Sequence, residues 1–291
     1  MALSGDVEND DFPDIVGFKG NVALIMEEDP SAVHNFVPVV THFRKTLGPQ
    51  WEMVILTRRG WTIPQGLAFR NFLSSGAIKV RFLPPGLDHF PSHPSVSIFL
   101  TSPWLWETFQ NVNRLLIFQP DSILCSKSNA RVDDFLEWDI IGAPMQSTWV
   151  DSRAGYGNYE AHPDAQGFNG GLCIRNPRLF LDVARRYNFT DDLNAGPYYE
   201  LPNFMRFEDH WFMRKIEDTP ELMSKVKLPP PEIAGKFSVE TWWWDEPLGY
   251  HQPSRWQPDR YDEIIRWCPE VGMIYNQEMP DARWGKREIV E

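Results

Sequence analysis

One short apolar run constrains the fold of this chain more than any other segment. Residues Leu115 to Phe118 read LLIF, and Gln119, Pro120 and Asp121 follow directly. A run of this length that stops at a proline is typical of a buried β-strand. In open α/β folds, ligands bind beyond the carboxyl ends of the strands, so an acid at position 121 is well placed to hold a metal or to contact a nucleotide. Asp121 is therefore the first candidate site residue.

Strands and helices are predicted to alternate along the first half of the chain. Apolar patterns predict strands at 21–26, 51–57, 78–83 and 115–118, and helices at 31–47, 70–75 and 102–111. Later segments predict a turn that leads into a strand at 167–175, a helix at 179–187, loops at 84–94 and from 229 onward, and a long polar loop at 147–166. Alternation of this kind predicts an α/β fold with a mixed, mostly parallel central sheet flanked by helices.

Composition excludes several classes of function. The chain has 291 residues, of which 42% are hydrophobic, including 13 Trp and 19 Phe, so it can bury a substantial core. Its formal net charge of −12 argues against a broad basic surface for duplex nucleic acid or an anionic membrane. If the protein binds a phosphorylated ligand, something other than a lysine cluster must neutralise the ligand's charge.

The cysteines and the N-terminus predict a cytoplasmic protein. Cys125, Cys173 and Cys268 are odd in number and lack the paired spacing of a zinc site or a disulfide framework, which favours a reducing compartment. Residues 1–20 are acidic, are predicted to be disordered, and show neither a signal peptide nor a membrane anchor. The triplet Asn188-Phe189-Thr190 matches a glycosylation sequon, which without a secretory signal is interpreted as a chance match.

Three polar groups along the chain could take part in chemistry. They are Asp121 after its strand, the pair Glu208 and Asp209 before His210-Trp211-Phe212, and His251. Each also has a structural interpretation: a turn-forming acid, acids that stabilise a helix N-terminus, and a hydrogen-bonded histidine. Together, and in this order, they suit transfer from a nucleotide-sugar, because a divalent cation bound to the diphosphate would act as a Lewis acid. Asp121 offers an oxygen ligand and His251 an imidazole that suits Mn²⁺-like ions.

The same hypothesis needs a base and a surface for the sugar. Asp209 or Glu208 could take the proton of an acceptor hydroxyl. Asn169, Gly170 and Gly171 would let the backbone approach the donor sugar closely, although a plain turn before a strand explains them equally well. Further contacts are predicted for the nucleotide at Glu27, Thr57, Gln119 and Asp121, and for the acceptor at Trp242 and Trp243.

A resemblance to a known family supports this hypothesis. The motifs that carry it are, in order, Leu105-Trp106, LLIFQPDS from Leu115, DIIGAP from Asp139, NGGLCIR from Asn169, Glu208-Asp209, KFSVE from Lys236 and Gly249-Tyr250-His251. They resemble a fungal-rich, uncharacterised family of GT-A-fold, glycosyltransferase-like proteins, the DUF5672-like family, over residues 21–256. More distantly the chain is similar to inverting GT-A enzymes with an Asp-x-Asp metal motif and a Glu-Asp pair.

The resemblance implies roles for individual residues. Asp121 would be the retained acid of the metal motif, Asp209 the base of an inverting reaction, and His251 the C-terminal metal ligand. Gln119 stands where the first acid of Asp-x-Asp is expected, and Gln252 follows His251 where a basic residue is expected. The implied domains are a disordered segment at 1–20, a GT-A-like domain at 21–256 and a C-terminal extension at 257–291.

The resulting prediction is a metal-assisted glycosyltransferase. It would use Mn²⁺ or Mg²⁺ and a UDP-sugar, and transfer the sugar to a hydroxyl of an acceptor, expected to be a small, secondary-metabolite-like molecule in the cytoplasm. No nucleic-acid partner and no integral membrane segment are expected.

Two other kinds of function compete with the glycosyltransferase hypothesis. Dehydrogenases, P-loop kinases, zincins and serine hydrolases are excluded because their motifs are absent from the sequence. A catalytically inactive protein of the same fold, binding carbohydrate or metabolite through the tryptophans at 242–244, stays open; the Glu208-Asp209 pair favours the enzyme.

Overall fold

The computed structural model describes residues 17–145 and 167–274. The predicted polar loop at 147–166 lies outside the described residues, as do most of the predicted disordered segment and residues 275–291 of the predicted C-terminal extension.

Within these described ranges, nine strands form two sheets. Their bounds are β1 Gly20–Met26, β2 Trp51–Thr57, β3 Ile78–Phe82, β4 Val112–Phe118, β5 Ser122–Leu124, β6 Ile140–Pro144, β7 Phe168–Arg175, β8 Ser238–Val239 and β9 Gly249–His251. The larger sheet has the order β3-β2-β1-β4-β7-β6, and the smaller one has the order β5-β9-β8. In the larger sheet β1 to β4 are parallel, whereas β7 runs antiparallel to both β4 and β6. The predicted mixed, mostly parallel α/β fold class is confirmed.

Twelve α-helices are found in the described part of the chain. They are α1 Phe36–Leu47, α2 Leu67–Ser74, α3 His93–Leu100, α4 Pro103–Phe109, α5 Pro177–Arg186, α6 Phe189–Leu193, α7 Asn203–Arg206, α8 Glu208–Glu217, α9 Pro220–Met223, α10 Pro231–Phe237, α11 Pro253–Trp256 and α12 Tyr261–Trp267. Helix α4 begins as predicted, with Ser102 as the N-cap residue and Pro103 in the first turn.

The helices cover a sheet whose central strands are almost wholly apolar. Phe36, Val39, Val40, Phe43 and Leu47 of α1 recur at helical spacing and are all buried. Through Phe43 this stripe reaches the sheet, where the ring stacks on that of Phe118 at the end of β4, with 3.9 Å between the ring centroids. Packing against α1 therefore helps to fix the strand end from which the candidate site is built.

The structure corrects three predicted segments. The helix predicted from residue 31 begins only at Phe36, because Asp29 and Pro30 start a separate 3₁₀ turn and Val33 is extended. Helix α3 begins at His93, within the predicted loop at 84–94, with Ser92 and Ser95 forming a capping box. The predicted late loop region contains α10, which begins at Pro231.

The cysteine prediction is wrong. Cys125 and Cys268, which are 143 residues apart, form a disulfide with their Cα atoms 4.9 Å apart, and Cys173 is a buried free thiol. Sequence spacing could not reveal the pair because the fold alone brings the two residues together. The expectation of a reducing compartment rests on unpaired cysteines, so the disulfide removes that ground for a cytoplasmic location. The other ground, the N-terminal sequence, stays a prediction.

Elements after residue 257 pack against the rest of the molecule. Ile264, Val271 and Ile274 are buried in the main hydrophobic core, and the indole N–H of Trp267 donates to the carbonyl of Pro247 at 3.0 Å. Within residues 17–145 and 167–274, no helix combines the length and apolar character needed to cross a membrane.

Candidate functional site

The predicted site residues gather at one edge of the larger sheet. Parallel strands β1, β2 and β4 end there, which places Glu27, Thr57 and Gln119 along the same edge. Strand β7 is antiparallel to β4, so its beginning lies beside the end of β4, and the backbone N–H of Gln119 donates to the carbonyl of Gly171 at 2.8 Å. This pairing brings the Asn169-Gly170-Gly171 segment to the edge that carries the nucleotide-binding candidates.

The smaller sheet brings His251 to Asp121. Ser122 pairs with His251 between β5 and β9, and the backbone N–H of Gln252 donates to the carbonyl of Asp121 at 3.1 Å. The imidazole Nε2 lies 3.4 Å from Oδ1 of Asp121 and 3.2 Å from Oε1 of Gln119. The two residues predicted as metal ligands, 130 positions apart in sequence, are thus neighbours in the fold.

A carboxylate holds the opposite side of the His251 ring. Nδ1 lies 2.9 Å from Oε1 of Glu240, which also accepts a hydrogen bond from the Asn169 amide at 2.9 Å. The oxygen atoms of Glu240, Asp121 and Gln119 near the two ring nitrogens favour a proton on each nitrogen when no metal is bound. Burial alone would lower the pKa of His251, but Asp121 and Glu240 outweigh it and raise the pKa to about 10.

The side chain of Asp121 contacts Gln252 and His251. Its Oδ2 accepts a hydrogen bond of 2.7 Å from the Gln252 side chain, while Oδ1 is buried without a hydrogen bond from the described residues. Burial works to raise the pKa of Asp121, but the charge of His251 and the bond from Gln252 bring it below its ordinary value. Gln252 therefore occupies the place of the expected basic residue and binds the acid instead.

These side chains fit a divalent cation. Glu240 orients His251 through Nδ1, which is the usual way in which a carboxylate prepares a histidine to bind a metal through its other nitrogen. The buried Oδ1 of Asp121 lies 3.4 Å from that nitrogen and would supply an oxygen ligand to an ion placed between the two side chains. Within the described ranges, no cluster of three or more His, Cys, Asp or Glu side chains could hold a metal, so other ligands would come from a diphosphate, Gln119 or water.

Helix α8 brings Asp209 to the same glycine segment from another direction. The backbone N–H of Gly170 donates to Oδ2 of Asp209 at 3.0 Å, and the N–H of His210 donates to Oδ1 at 2.8 Å. Burial raises the pKa of Asp209, and Arg175 partly offsets the rise. A partly buried carboxylate with a raised pKa is a better proton acceptor than an ordinary surface aspartate.

Glu208 has a different environment. Its Oε1 accepts a hydrogen bond of 2.7 Å from the buried guanidinium of Arg175, which packs over the rings of Trp106 and Phe180. Burial and the neighbouring charge of Asp209 raise the pKa of Glu208 against the opposing effect of Arg175. Of the two acids predicted as catalytic, Glu208 thus faces an internal cation, whereas Asp209 faces the glycine segment.

Gly170 and Gly171 allow the close packing of this region. A Cβ on Gly170 would stand 2.6 Å from Nη2 of Arg175 and 2.7 Å from Oε1 of Glu208. A Cβ on Gly171 would overlap the ring of His251. The glycine pair therefore has a packing role toward the protein itself, beside the predicted role toward a donor sugar.

The predicted acceptor residues lie just beyond Glu240. Trp242 is 37% exposed, and Trp243 donates its indole N–H to Asp245 at 2.8 Å and stacks against Arg260. Nothing in the described contacts joins them to Asp209, so their role stays a prediction.

Sequence reasoning did not assign roles to Glu240, Arg175 and Gln252. Glu240 and Arg175 end short apolar strand segments, and a charge in such a place needs a buried partner. That signal could have identified them as paired residues, although not their partners.

Comparisons with solved structures return glycosyltransferases. The chain is similar to the bifunctional glycosyltransferase WbbM (TM-score 0.48, 13% identity, 92% of this chain and 53% of that one). It is also similar to mouse xyloside xylosyltransferase 1 (TM-score 0.45, 13% identity, 80% of this chain and 97% of that one). A third similar structure is an active-site mutant of LgtC (TM-score 0.46, 13% identity, 84% of this chain and 95% of that one). The chain thus spans about half the length of WbbM.

The search of curated proteins found no match. A family model described as "Protein of unknown function (DUF5672)" matches residues 77–251, which is more than half of the chain and includes Asp121, Asp209 and His251. The expected family is confirmed, and the protein belongs to the DUF5672 family.

Proposed function

We propose that this protein is a glycosyltransferase that moves a sugar from a UDP-sugar to a hydroxyl group of an acceptor. The observation that carries the proposal is the position of the neighbouring residues Gly170 and Gly171 between two groups of candidate site residues. Gly170 binds Asp209, the candidate base, while Gly171 lies under His251, the candidate metal ligand. A transferase of this kind needs a site for the diphosphate and a base for the acceptor at close range, because leaving group and nucleophile act on one carbon.

The donor would bind at the sheet edge. Glu27, Thr57 and Gln119 would contact the nucleotide, and Asn169, Gly170 and Gly171 the sugar. Asp121 and His251 would hold Mn²⁺ or Mg²⁺. When bound, such an ion neutralises diphosphate charge and makes the nucleoside diphosphate a better leaving group. This explains how a protein with a net charge of −12 could bind an anionic donor.

Asp209 would accept the proton of the attacking hydroxyl. Its raised pKa favours this role, since a base works best when its pKa approaches the pH of the reaction. Attack opposite to the leaving diphosphate, with one base, inverts the anomeric configuration. Glu208 would position the start of α8 through its ion pair with Arg175.

The acceptor is proposed only as a hydroxyl compound. Trp242 and Trp243 offer aromatic surface on which the apolar face of a sugar or another flat molecule could stack. The preference for a small metabolite depended on a cytoplasmic location, and the disulfide weakens that location by removing the argument from unpaired cysteines.

Product analysis tests the proposal. The purified protein is incubated with UDP-sugars or GDP-sugars, Mn²⁺ and extracts of candidate acceptors. We expect release of UDP together with an acceptor that gains one sugar mass, and neither product from an Asp209→Asn variant. If the protein binds a carbohydrate but transfers no sugar from any of the donors tested, the result would instead favour the hypothesis of an inactive sugar-binding protein.

A further inference from the structure

The sequon at Asn188 forms an exposed surface feature. Asn188-Phe189-Thr190 is the only Asn-x-Ser/Thr triplet in the sequence with a non-proline middle residue. Asn188 is exposed in the connection between α5 and α6, with extended backbone angles of φ −113° and ψ 112°. Its Oδ1 accepts a hydrogen bond of 3.0 Å from the N–H of Thr190, and no described residue binds its Nδ2. The amide nitrogen is therefore available for modification.

The middle residue of the triplet anchors it to the core. Phe189 is 3% exposed and its ring meets that of Trp211 edge-on, with 5.6 Å between centroids. The contact anchors the segment that carries Asn188 to the core, while Asn188 itself stays exposed. A group attached to Nδ2 would extend into solvent without displacing any core side chain.

The residues on either side of Asn188 pack against α8 and the segment that follows it. The hydroxyl of Tyr187, the residue before Asn188, lies 2.7 Å from that of Thr219, just beyond the C-terminal end of α8. Glu208 and Asp209 begin the same helix, whose 10 residues span about 15 Å. Phe189, on the other side of Asn188, contacts Trp211 near the start of the helix, so Asn188 lies along the flank of α8.

An independent observation points to the compartment in which sequons are used. The Cys125–Cys268 disulfide joins the end of β5 to the turn after α12, and both cysteines are buried. Disulfides of this structural kind form and persist in oxidising compartments and are rare in the cytosol. N-glycosylation takes place in the same compartments.

We propose that Asn188 is N-glycosylated and that this happens in the oxidising compartment where the disulfide forms. In the reaction, Nδ2 of Asn188 forms a bond to C1 of the first sugar of an oligosaccharide linked to a polyprenyl diphosphate. The bond between C1 and the diphosphate oxygen breaks, polyprenyl diphosphate leaves, and the proton lost from Nδ2 goes to solvent. The inference does not depend on the transferase activity proposed above.

The test uses full-length protein isolated from cells that naturally produce it. Peptide-N-glycosidase in ¹⁸O-labelled water converts a glycosylated asparagine into ¹⁸O-labelled aspartate, which peptide mass spectrometry locates. We expect the label at position 188 and a faster-migrating protein after treatment. Thiol alkylation of the denatured protein without reductant is expected to label Cys173 but neither Cys125 nor Cys268.

Matched variants made in the same cells separate modification from misfolding. Thr190→Ser keeps the sequon and is expected to keep the glycan, whereas Thr190→Ala and Asn188→Gln lose it. All three are expected to retain the proposed nucleotide binding. An unmodified Asn188 in the native protein overturns the proposal, and it does so whether Cys125 and Cys268 are oxidised or reduced. A glycan that persists in the Asn188→Gln variant overturns it as well.

Discussion

The imidazole of His251 lies so close to the backbone of Gly171 that the glycine has no room for a Cβ atom. The preceding residue, Gly170, lies against the Arg175–Glu208 pair, and its backbone N–H donates to Asp209. The two glycines thus join the part of the site suited to a diphosphate and metal to the part suited to an acceptor. Close approach of neighbouring groups, rather than an unusual backbone angle, is the physical reason for glycine at both positions.

Gly171→Ala is expected to disturb the His251 side of the site. The added methyl group would overlap the ring and force it away from Asp121, at a cost of about 1–3 kcal/mol for overpacking. We expect lower stability in chemical denaturation and weaker metal-dependent nucleotide binding. Gly66→Ala is the matched control, since a Cβ there meets nothing within 4 Å. Equal behaviour of the two variants would contradict the packing role of Gly171.

The two acids at the start of α8 are expected to respond differently to substitution. Asp209→Asn should lower kcat by at least about a hundredfold while donor binding stays near normal, because the proton acceptor is lost. The asparagine can accept from only one of the two backbone N–H groups that Asp209 binds, so the stability of this variant is measured as well. Glu208→Gln leaves the buried Arg175 charge without its partner and should cost about 3–5 kcal/mol of stability. Turnover assays and denaturation curves of both variants check this. If Asp209→Asn keeps the wild-type rate, Asp209 is not the base.

The stability of the metal-free protein is expected to depend on pH through His251. Its folded-state pKa of about 10 is above its ordinary value of 6.5, so the folded state holds the proton more tightly than the unfolded chain. The resulting stabilisation is complete below about pH 6.5 and is lost as the pH rises toward 10. Denaturation in chelator across this range should show the decline in wild type and a smaller one in His251→Gln. If the free energy of unfolding depended on pH in the same way in both proteins, the stabilising contact of His251 with Asp121 and Glu240 would be contradicted.

Reduction of the Cys125–Cys268 bond is expected to destabilise the fold. The bond closes a long loop, its partners being 143 residues apart, and should contribute about 2–5 kcal/mol. Unfolding of wild type should therefore shift on addition of reductant, whereas the Cys125→Ala/Cys268→Ala double variant should not respond. Cys173→Ala, which lacks the buried free thiol, serves as the control and should respond like wild type. Absence of any shift in wild type would show that the bond does not stabilise the protein.

The sequence predicted features that depend on local patterns. The LLIF run, the Ser102-Pro103 helix start and the acid after β4 all have signals within a few residues, and the structure places them as expected. Features set by distant partners were missed or only partly seen. The disulfide, the contact of Glu240 with His251 and the Arg175–Glu208 pair each join residues that the fold alone brings together. The start of α1 was misplaced because the 3₁₀ turn at Pro30 interrupts an apolar pattern that otherwise continues.

Calorimetric titration of UDP and of GDP, each with Mn²⁺ and with chelator, tests the central claim most directly. We expect UDP to bind wild type only when Mn²⁺ is present, and Asp121→Ala to lose that metal-dependent binding while remaining folded. GDP is expected to bind more weakly. If neither nucleotide binds, or if UDP binds equally well in chelator and to Asp121→Ala, the proposed metal-assisted use of a UDP-sugar is contradicted.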